Sequence, residues 1–369
     1  MAFSEFAAEQ NRMEAERKIL VVTEPLLNWY HLSARTMPWR SEPSPYRVWL
    51  SEIMLQQTRV EAVIPYFLRF VQAIPDISAL AEAPEEQLHK LWEGLGYYSR
   101  VRNLQKAAKQ VMKRYDGMLP PSYELLLDLC GIGPYTAGAI ASIAFGIPVP
   151  AVDGNVLRVL SRIFAGEADI NAATVKKEYQ ELLYRTMPQD KPGDFNQALM
   201  ELGATVCLPN GKPKCEDCPI AFECLGYQQG NPMLYPVKAE KKPRRIEQKT
   251  VLILCTPQGV LLHQRQSSGL LAGLWEFPNL DGHLTEQEVI DYLQSRGIQE
   301  ESIEPLKPAK HIFTHIEWQM IGYYVGCSDL CPAFDEVTAD TAALEQIYTV
   351  PNAFAAYKKV LSERMKKKH

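Results

Sequence analysis

Leu129-Cys130-Gly131-Ile132-Gly133-Pro134-Tyr135-Thr136-Ala137 lies between two stretches of helical periodicity, 122–129 and 135–145. Glycines at 131 and 133 permit a tight turn whose backbone N–H groups face outward where the next helix begins. Such a turn binds an anion, and a DNA phosphate is the obvious candidate. By itself Gly-x-Gly serves equally well as a plain helix–helix connection. The surrounding sequence has to decide.

Working outward, the first two-thirds of the chain reads as helix after helix. Apolar residues recur at helical spacing in 11–31, 45–57, 61–72, 85–93, 100–115, 122–129, 135–145, 154–164, 173–186 and 194–204. Proline and glycine punctuate the joints: Pro65, Pro75, Pro84, Gly94, Gly96, Pro120, Pro121, Pro148 and Pro150. Near residue 250 the pattern changes. Val251 to Cys255, then Pro257-Gln258-Gly259, then Val260 to Leu262 predicts a β-hairpin. A second hairpin is expected between Ala309 and Gly326, with helices near 285–296 and 351–366.

A chain of 369 residues suggests two or three domains, and 46% hydrophobic with 22% charged residues marks a globular protein. No apolar run approaches the roughly 20 residues needed to span a bilayer, and the N-terminus lacks a signal peptide's apolar region. No membrane partner and a cytoplasmic location are expected. The formal charge of −5 argues only weakly against nucleic acid, because DNA responds to a local basic face. Lys238 to Lys249 carries six basic and two acidic residues. It reads equally as a solvated interdomain linker or as a phosphate contact.

Four of the eight cysteines fall within 18 residues: Cys207, Cys215, Cys218 and Cys224, spaced C-x7-C-x2-C-x5-C. Zinc ribbons pair two Cys-x-x-Cys knuckles, and here there is one. A single run closing on itself suits a [4Fe-4S] cubane held by four thiolates; zinc and unligated structural cysteines are the alternatives. Cys130, Cys255, Cys327 and Cys331 read as buried core thiols.

Two carboxylates stand out. Asp153 precedes the helical run from Val156 to Phe164, so the helix dipole there favours its ionised form; as a lone feature it is a helix cap. Glu52 lies on the apolar face of a helix opened by Ser44-Pro45, beside Val48, Trp49 and Leu55. Desolvation there would raise its pKa and keep a proton available near neutrality. A satisfied buried glutamate paired with Arg59 or Arg100 is the alternative. One carboxyl holding a proton and one staying charged is the pair that glycosidic cleavage requires.

Together these residues resemble the helix–hairpin–helix DNA glycosylases of the endonuclease III superfamily, and within it the adenine-specific MutY type. The resemblance covers roughly residues 20–365. It rests on the hairpin Leu129 to Ala137, on Val152-Asp153-Gly154-Asn155 with Arg158, and on the four-cysteine loop. Pro38-Trp39-Arg40, Glu52 to Thr58, and Gly94 to Arg100 also match. The implied fold is mainly α, a six-helix barrel plus an iron–sulfur helical lobe, followed by an α+β Nudix-like domain. The implied domains are 8–230, a basic linker 231–249, and 250–369.

Bifunctional relatives place a Schiff-base lysine where this chain has Tyr135. Tyrosine cannot form an imine, so the resemblance implies base excision without strand cleavage. The substrate it implies is duplex DNA bearing adenine opposite 8-oxoguanine or guanine, acted on by a monomer. Glu52 would protonate N7 of adenine and Asp153 would stabilise the oxocarbenium or trap it covalently, with Tyr135 and Asn155 orienting Asp153. Arg35, Trp39, Arg40 and Gln197 would form the adenine pocket. Gly131, Gly133 and Thr58 would contact DNA, while Gln57, Leu95 and Tyr97 would wedge open the duplex. An oxidised-pyrimidine glycosylase with lyase activity, and a non-catalytic iron–sulfur DNA-binding protein, are the rival readings.

The second domain is expected to read the lesion. Gly269 to Pro278 fits a Nudix-like fold, and Phe313-Thr314-His315 matches the family's Phe-Ser-His lesion-reading turn with threonine for serine. An echo of a Nudix metal box at Gly282, Glu288, Arg296, Glu300 and Glu301 is incomplete. Gly297 stands where a glutamate is required and would break the supporting helix. Pyrophosphatase activity is therefore not expected. The family's first cysteine gap is six residues; here it is seven, with Asn210-Gly211 as the insertion.

Overall fold

The computed structural model describes residues 2–240 and 243–366. Lys241 and Lys242 of the basic stretch, and Met1, lie outside the described residues. Two compact units result from the packing. One takes the chain up to Glu82 and Asn103–Glu240; the other takes Ala83–Arg102 and the described chain beyond Glu240.

The first unit is helical. Its long helix Ala2–Ser33 is followed by Pro38–Ser41, Pro45–Leu55, Val60–Ala73 and Ile77–Glu82. After the excursion come Tyr123–Leu127, Pro134–Ala139, Gly154–Ile163, Ala173–Thr186 and Pro192–Thr205. Local chemistry sets the starts. Ser44 accepts the backbone N–H of Arg47 with Pro45 at the first helical position, and Ser122 accepts that of Leu125. The core joins Ile19, Val22 and Leu26 of the first helix to Val156, Leu160, Phe195, Leu199 and Leu202. The short helix Ile77–Glu82 escaped the sequence reading because six residues between two prolines are too few to show a period. The helix expected over 135–145 opens into a π-turn at Ile140–Ala144.

The second unit is built on one sheet: β1 Arg245–Thr256, β2 Gly259–Gln264, β3 Trp275–Glu276, β4 Asn279–Asp281, β5 Glu300–Ile312, β6 Ile316–Cys327 and β7 Glu336–Ala339. The order is β3-β2-β1-β6-β5, with β4 on β1 and β7 on β2. Both expected hairpins are present, β1–β2 and β5–β6. A parallel β1–β6 pairing, running from Arg245↔Ile316 to Cys255↔Gly326, makes β1 central. It also draws Arg245 to Lys249 out of the expected linker and into the sheet.

The continuous apolar run of β1 is explained by burial on both faces. Val251, Ile253 and Cys255 pack with Phe354, Tyr357 and Leu361 of the C-terminal segment. Leu252 and Leu254 pack with Val289 and Leu293 of the helix Glu286–Ser295.

The stretch 83–102 was expected in the helical domain, yet it packs within the second unit. Lys358 Nζ meets Glu93 Oε1 at 2.6 Å, Lys90 Nζ donates to Leu344 O at 3.0 Å, and Arg102 Nη1 donates to Ala272 O at 2.5 Å. Sequence order alone carries no trace of such contacts, which join positions over 160 residues apart. Among the described residues no helix is long and apolar enough to cross a membrane.

Candidate active site

The first unit contains a cavity of about 1020 Å³, and its lining includes Arg35, Trp39, Arg40, Glu52, Gln57, Thr58, Tyr135, Asp153, Asn155, Gln197 and Glu201. Both carboxylates singled out from sequence thus face one space, together with all four residues of the expected adenine pocket.

Glu52 sits on the helix Pro45–Leu55 and is only 6% exposed. Burial pushes its pKa up to about 7, opposed by a hydrogen bond from Tyr135 and reinforced by the charge of Asp153. The Tyr135 hydroxyl donates to Glu52 Oε2. This corrects the sequence reading, which assigned Tyr135 to Asp153. Asp153 instead takes its hydrogen bonds from the helix cap. Its Oδ1 accepts the backbone N–H groups of Asn155 and Val156, each at 2.8 Å, and its Oδ2 accepts Asn155 Nδ2 at 2.7 Å. Asn155 does orient Asp153, and Arg158 Nη2 in turn holds Asn155 Oδ1 at 3.0 Å.

The helix-dipole argument predicts a fully ionised Asp153. Burial acts the other way and raises its pKa, against three cap hydrogen bonds and the nearby Arg158 that favour the charge. The two carboxyls therefore differ by their donors: three at Asp153, one at Glu52.

Arg40 Nε donates to Gln197 Oε1 at 3.0 Å. Sequence reasoning missed the residue that holds this wall together. Glu201, 1% exposed, accepts Arg35 Nε at 2.6 Å and Arg40 Nη2 at 3.0 Å. Burial alone would raise its pKa, but the two guanidinium groups outweigh it and hold the carboxyl below the usual range. A signal existed: Glu201 follows Gln197 by one helical turn, inside the apolar run Ala198 to Leu202. Trp39 also packs edge-on against Phe67 at 5.2 Å, so it serves the core as well as the cavity.

The hairpin glycines are both exposed. Gly131 has φ +75°, and a Cβ there would stand 2.7 Å from Asn103 Cβ, so only glycine fits. Gly133 is the residue before the helix Pro134–Ala139 and has open space around its Cα. Gln57 is exposed with φ +61°, a strained conformation for a non-glycine residue at the cavity rim.

Cys207, Cys215, Cys218 and Cys224 are free and partly buried. Burial raises the pKa values of Cys215, Cys218 and Cys224, and the neighbouring cysteines raise them further. Cys207 Sγ accepts Arg162 Nη1 at 3.1 Å. Among the described residues no three of His, Cys, Asp or Glu are grouped to grip a metal ion. The inserted Asn210-Gly211 lies in an exposed loop, with Gly211 at φ +75°. Of the cysteines expected in the core, Cys255 and Cys327 are buried, Cys130 is partly so, and Cys331 is exposed. Cys331 departs because it lies beyond the end of β6, outside the sheet.

Within the second unit, Phe313, Thr314 and His315 form the tip of the β5–β6 hairpin, closed by Phe313 N–H to Ile316 O at 2.8 Å. Phe313 packs on Trp318 at 5.0 Å while Thr314 and His315 are exposed. They border a cavity of about 440 Å³ also lined by Tyr97, and Tyr97 Oη lies 3.2 Å from Thr314 Oγ1. Tyr97 is 51% exposed, but Leu95 is only 7% exposed. Leu95, expected to wedge the duplex, is buried in this structure. Two residues of the incomplete Nudix box have partners of their own. Arg296 is committed to Glu336 at 2.7–2.8 Å, Glu288 caps its own helix, and Gly297 (φ +68°) ends that helix.

Residues 50–185 match the HhH-GPD superfamily of base excision DNA repair proteins, and residues 250–359 match a NUDIX domain. The adenine DNA glycosylase of Mus musculus is 37% identical, covering 86% of this chain and 71% of its own length. That of Buchnera aphidicola subsp. Baizongia pistaciae is 36% identical over 80% of this chain and 84% of its own. The chain belongs to the adenine DNA glycosylase family.

For an adenine DNA glycosylase, the cavity of the helical unit is the candidate site of base excision. A thermostable thymine-DNA glycosylase superimposes with TM-score 0.53 at 30% identity, covering 58% of this chain and 98% of that one. Endonuclease III in a non-covalent DNA complex shares the fold, with TM-score 0.50 at 22% identity over 58% of this chain and 97% of its own. The adenine DNA glycosylase thus combines an endonuclease III-like helical part with a sheet-containing Nudix-like part.

Proposed function

We propose that this enzyme removes adenine paired with 8-oxoguanine, and with guanine, by acid-assisted hydrolysis without a Schiff base, acting as a monomer. The observation that carries the reading is the Glu52–Tyr135 pair in one cavity with the capped Asp153. The residue at the lysine position of bifunctional relatives is committed as a hydrogen-bond donor to the acid.

In this mechanism an adenosine leaves the base stack and enters the cavity, at a cost of a few kcal/mol. Glu52 transfers its proton to N7 of adenine. The C1′–N9 bond breaks, and its electron pair leaves with a base made neutral by that proton. Asp153 supplies negative charge beside the oxocarbenium. Water then adds to C1′, and its proton is taken up by the Glu52 carboxylate, which resets the acid. Arg35, Arg40, Gln197 and Trp39 shape the pocket, with Glu201 fixing both arginines. Gly131, Gly133, Gln57 and Thr58 contact the DNA backbone and the opened duplex.

In the domain scheme 8–230 and 250–369, the second domain reads the partner base. Phe313, Thr314 and His315 approach 8-oxoguanine, and Tyr97 enters the duplex beside it. The four cysteines are the residues that would hold a [4Fe-4S] cluster. Their mutual repulsion and the Arg162 donor suit a cationic iron core. When bound, the cluster would supply a covalent brace for the loop. The chemistry belongs to Glu52 and Asp153.

A labelled duplex bearing adenine opposite 8-oxoguanine tests the proposal. Strand breaks are expected only after alkali. Breaks without alkali would sink the monofunctional reading, and an untouched adenine would sink the substrate.

A further inference from the structure

The loop Gly94 to Arg100 contains an arrangement that the excision chemistry does not use. Tyr97 is exposed, yet its backbone is left-handed, with φ +48°. That conformation is strained for a bulky residue, so its surroundings must hold it.

Arg100 lies beneath it and is 8% exposed. Its Nη2 donates to Leu95 O and to Gly96 O, each at 3.1 Å. Its guanidinium carbon stands 5.3 Å from the Trp92 ring centroid and 5.7 Å from that of Tyr97. Trp92 Nε1 donates to the same Gly96 carbonyl at 3.1 Å, and Arg100 N–H closes the turn on Tyr97 O at 2.9 Å. A buried cation thus fastens the carbonyls preceding Tyr97 and supports the underside of its ring. The far end of that ring reaches Thr314 of the lesion-reading turn.

We infer that Arg100 is a positioning residue that sets the Tyr97 ring, ahead of DNA binding, at the angle in which it enters the base stack beside 8-oxoguanine. This rests on the proposed role of Tyr97 as a wedge. The physical reason is preorganisation. A ring that must first be ordered loses binding free energy, whereas one already held against a planar cation does not. Its Nη2 alone bonds both carbonyls, while the planar guanidinium stands over the two rings. Lysine keeps the charge but offers a point donor.

The test is a double-mutant cycle on the full-length enzyme. It uses Tyr97→Ala, Arg100→Met and the pair, with Arg100→Lys as the variant that keeps the charge. Two readouts apply: excision of adenine opposite 8-oxoguanine under single turnover, and fluorescence of 2-aminopurine placed beside 8-oxoguanine, which brightens on unstacking. Tyr97→Ala and Arg100→Met are each expected to slow excision by about 10-fold at sub-saturating enzyme and to abolish the brightening. The pair should be no worse than Tyr97→Ala alone. Arg100→Lys should melt like the parent enzyme and recover part of both signals.

If Tyr97→Ala leaves the brightening intact, the wedge reading itself fails. If Tyr97→Ala removes it while Arg100→Lys brightens fully, or if the two losses multiply in the pair, the wedge stands and the role of Arg100 is overturned.

Discussion

The hydroxyl of Tyr135 donates to the buried carboxyl of Glu52, across 83 residues of sequence. One hydrogen bond thereby links the position that separates the two mechanistic branches of the superfamily to the group proposed as the acid.

Glu52→Gln keeps the shape of the side chain and removes the transferable proton. The variant is expected to bind a duplex with adenine opposite 8-oxoguanine, while single-turnover excision falls by roughly 10²–10⁴-fold, the usual worth of a general acid. Gel-shift and excision assays on one preparation separate the two effects. Near-normal turnover would remove Glu52 from the mechanism.

The proton on Glu52 also fixes a pH dependence. Burial raises its pKa to about 7, and the protonated form, which reacts, is lost as pH rises through that value. Excision should therefore decline on the alkaline side of about 7. Tyr135 stabilises the carboxylate, so Tyr135→Phe should raise the pKa and move the alkaline limb to higher pH. A limb that stays in place, or moves to lower pH, contradicts this coupling.

Asp153→Asn tests the charge apart from the cap. An asparagine oxygen can still accept the N–H groups of Asn155 and Val156, so the melting temperature should change by the equivalent of about 1 kcal/mol or less. Excision should fall by roughly 10²–10³-fold, since the anion beside the oxocarbenium is gone. Equal losses of stability and activity would make Asp153 a cap and no more.

Purified protein should be yellow-brown and contain iron and acid-labile sulfide. Cys218→Ser should lose that colour and weaken duplex binding. Colourless protein carrying stoichiometric zinc would reverse the assignment of the cysteine loop.

Thr314→Val preserves the outline of the side chain and deletes its hydroxyl. Excision opposite 8-oxoguanine should drop about 2–10-fold, the worth of one hydrogen bond, while excision opposite guanine stays level. A uniform drop on both duplexes would place Thr314 outside lesion reading.

Helices and strands were legible because their signals are local. Ser44-Pro45, Ser122 and Asp153 start helices through bonds that span two or three residues. The apolar run 251–255 shows a strand, although burial of both its faces emerged only with the parallel β6. The same holds at the site. Glu52 and Asp153 could be chosen by residue type and by their neighbours along a helix.

The amino-acid order by itself determined the two architectures, the hairpin glycines, the four-cysteine spacing and the carboxylate pair, because each depends on residues a few positions apart. Tertiary structure alone decided that Tyr135 serves Glu52, that Glu201 clamps Arg35 and Arg40, that Leu95 packs inward, and that 83–102 packs within the second unit. Those outcomes depend on burial and on donors brought from distant parts of the chain. Neither is a property of any short segment.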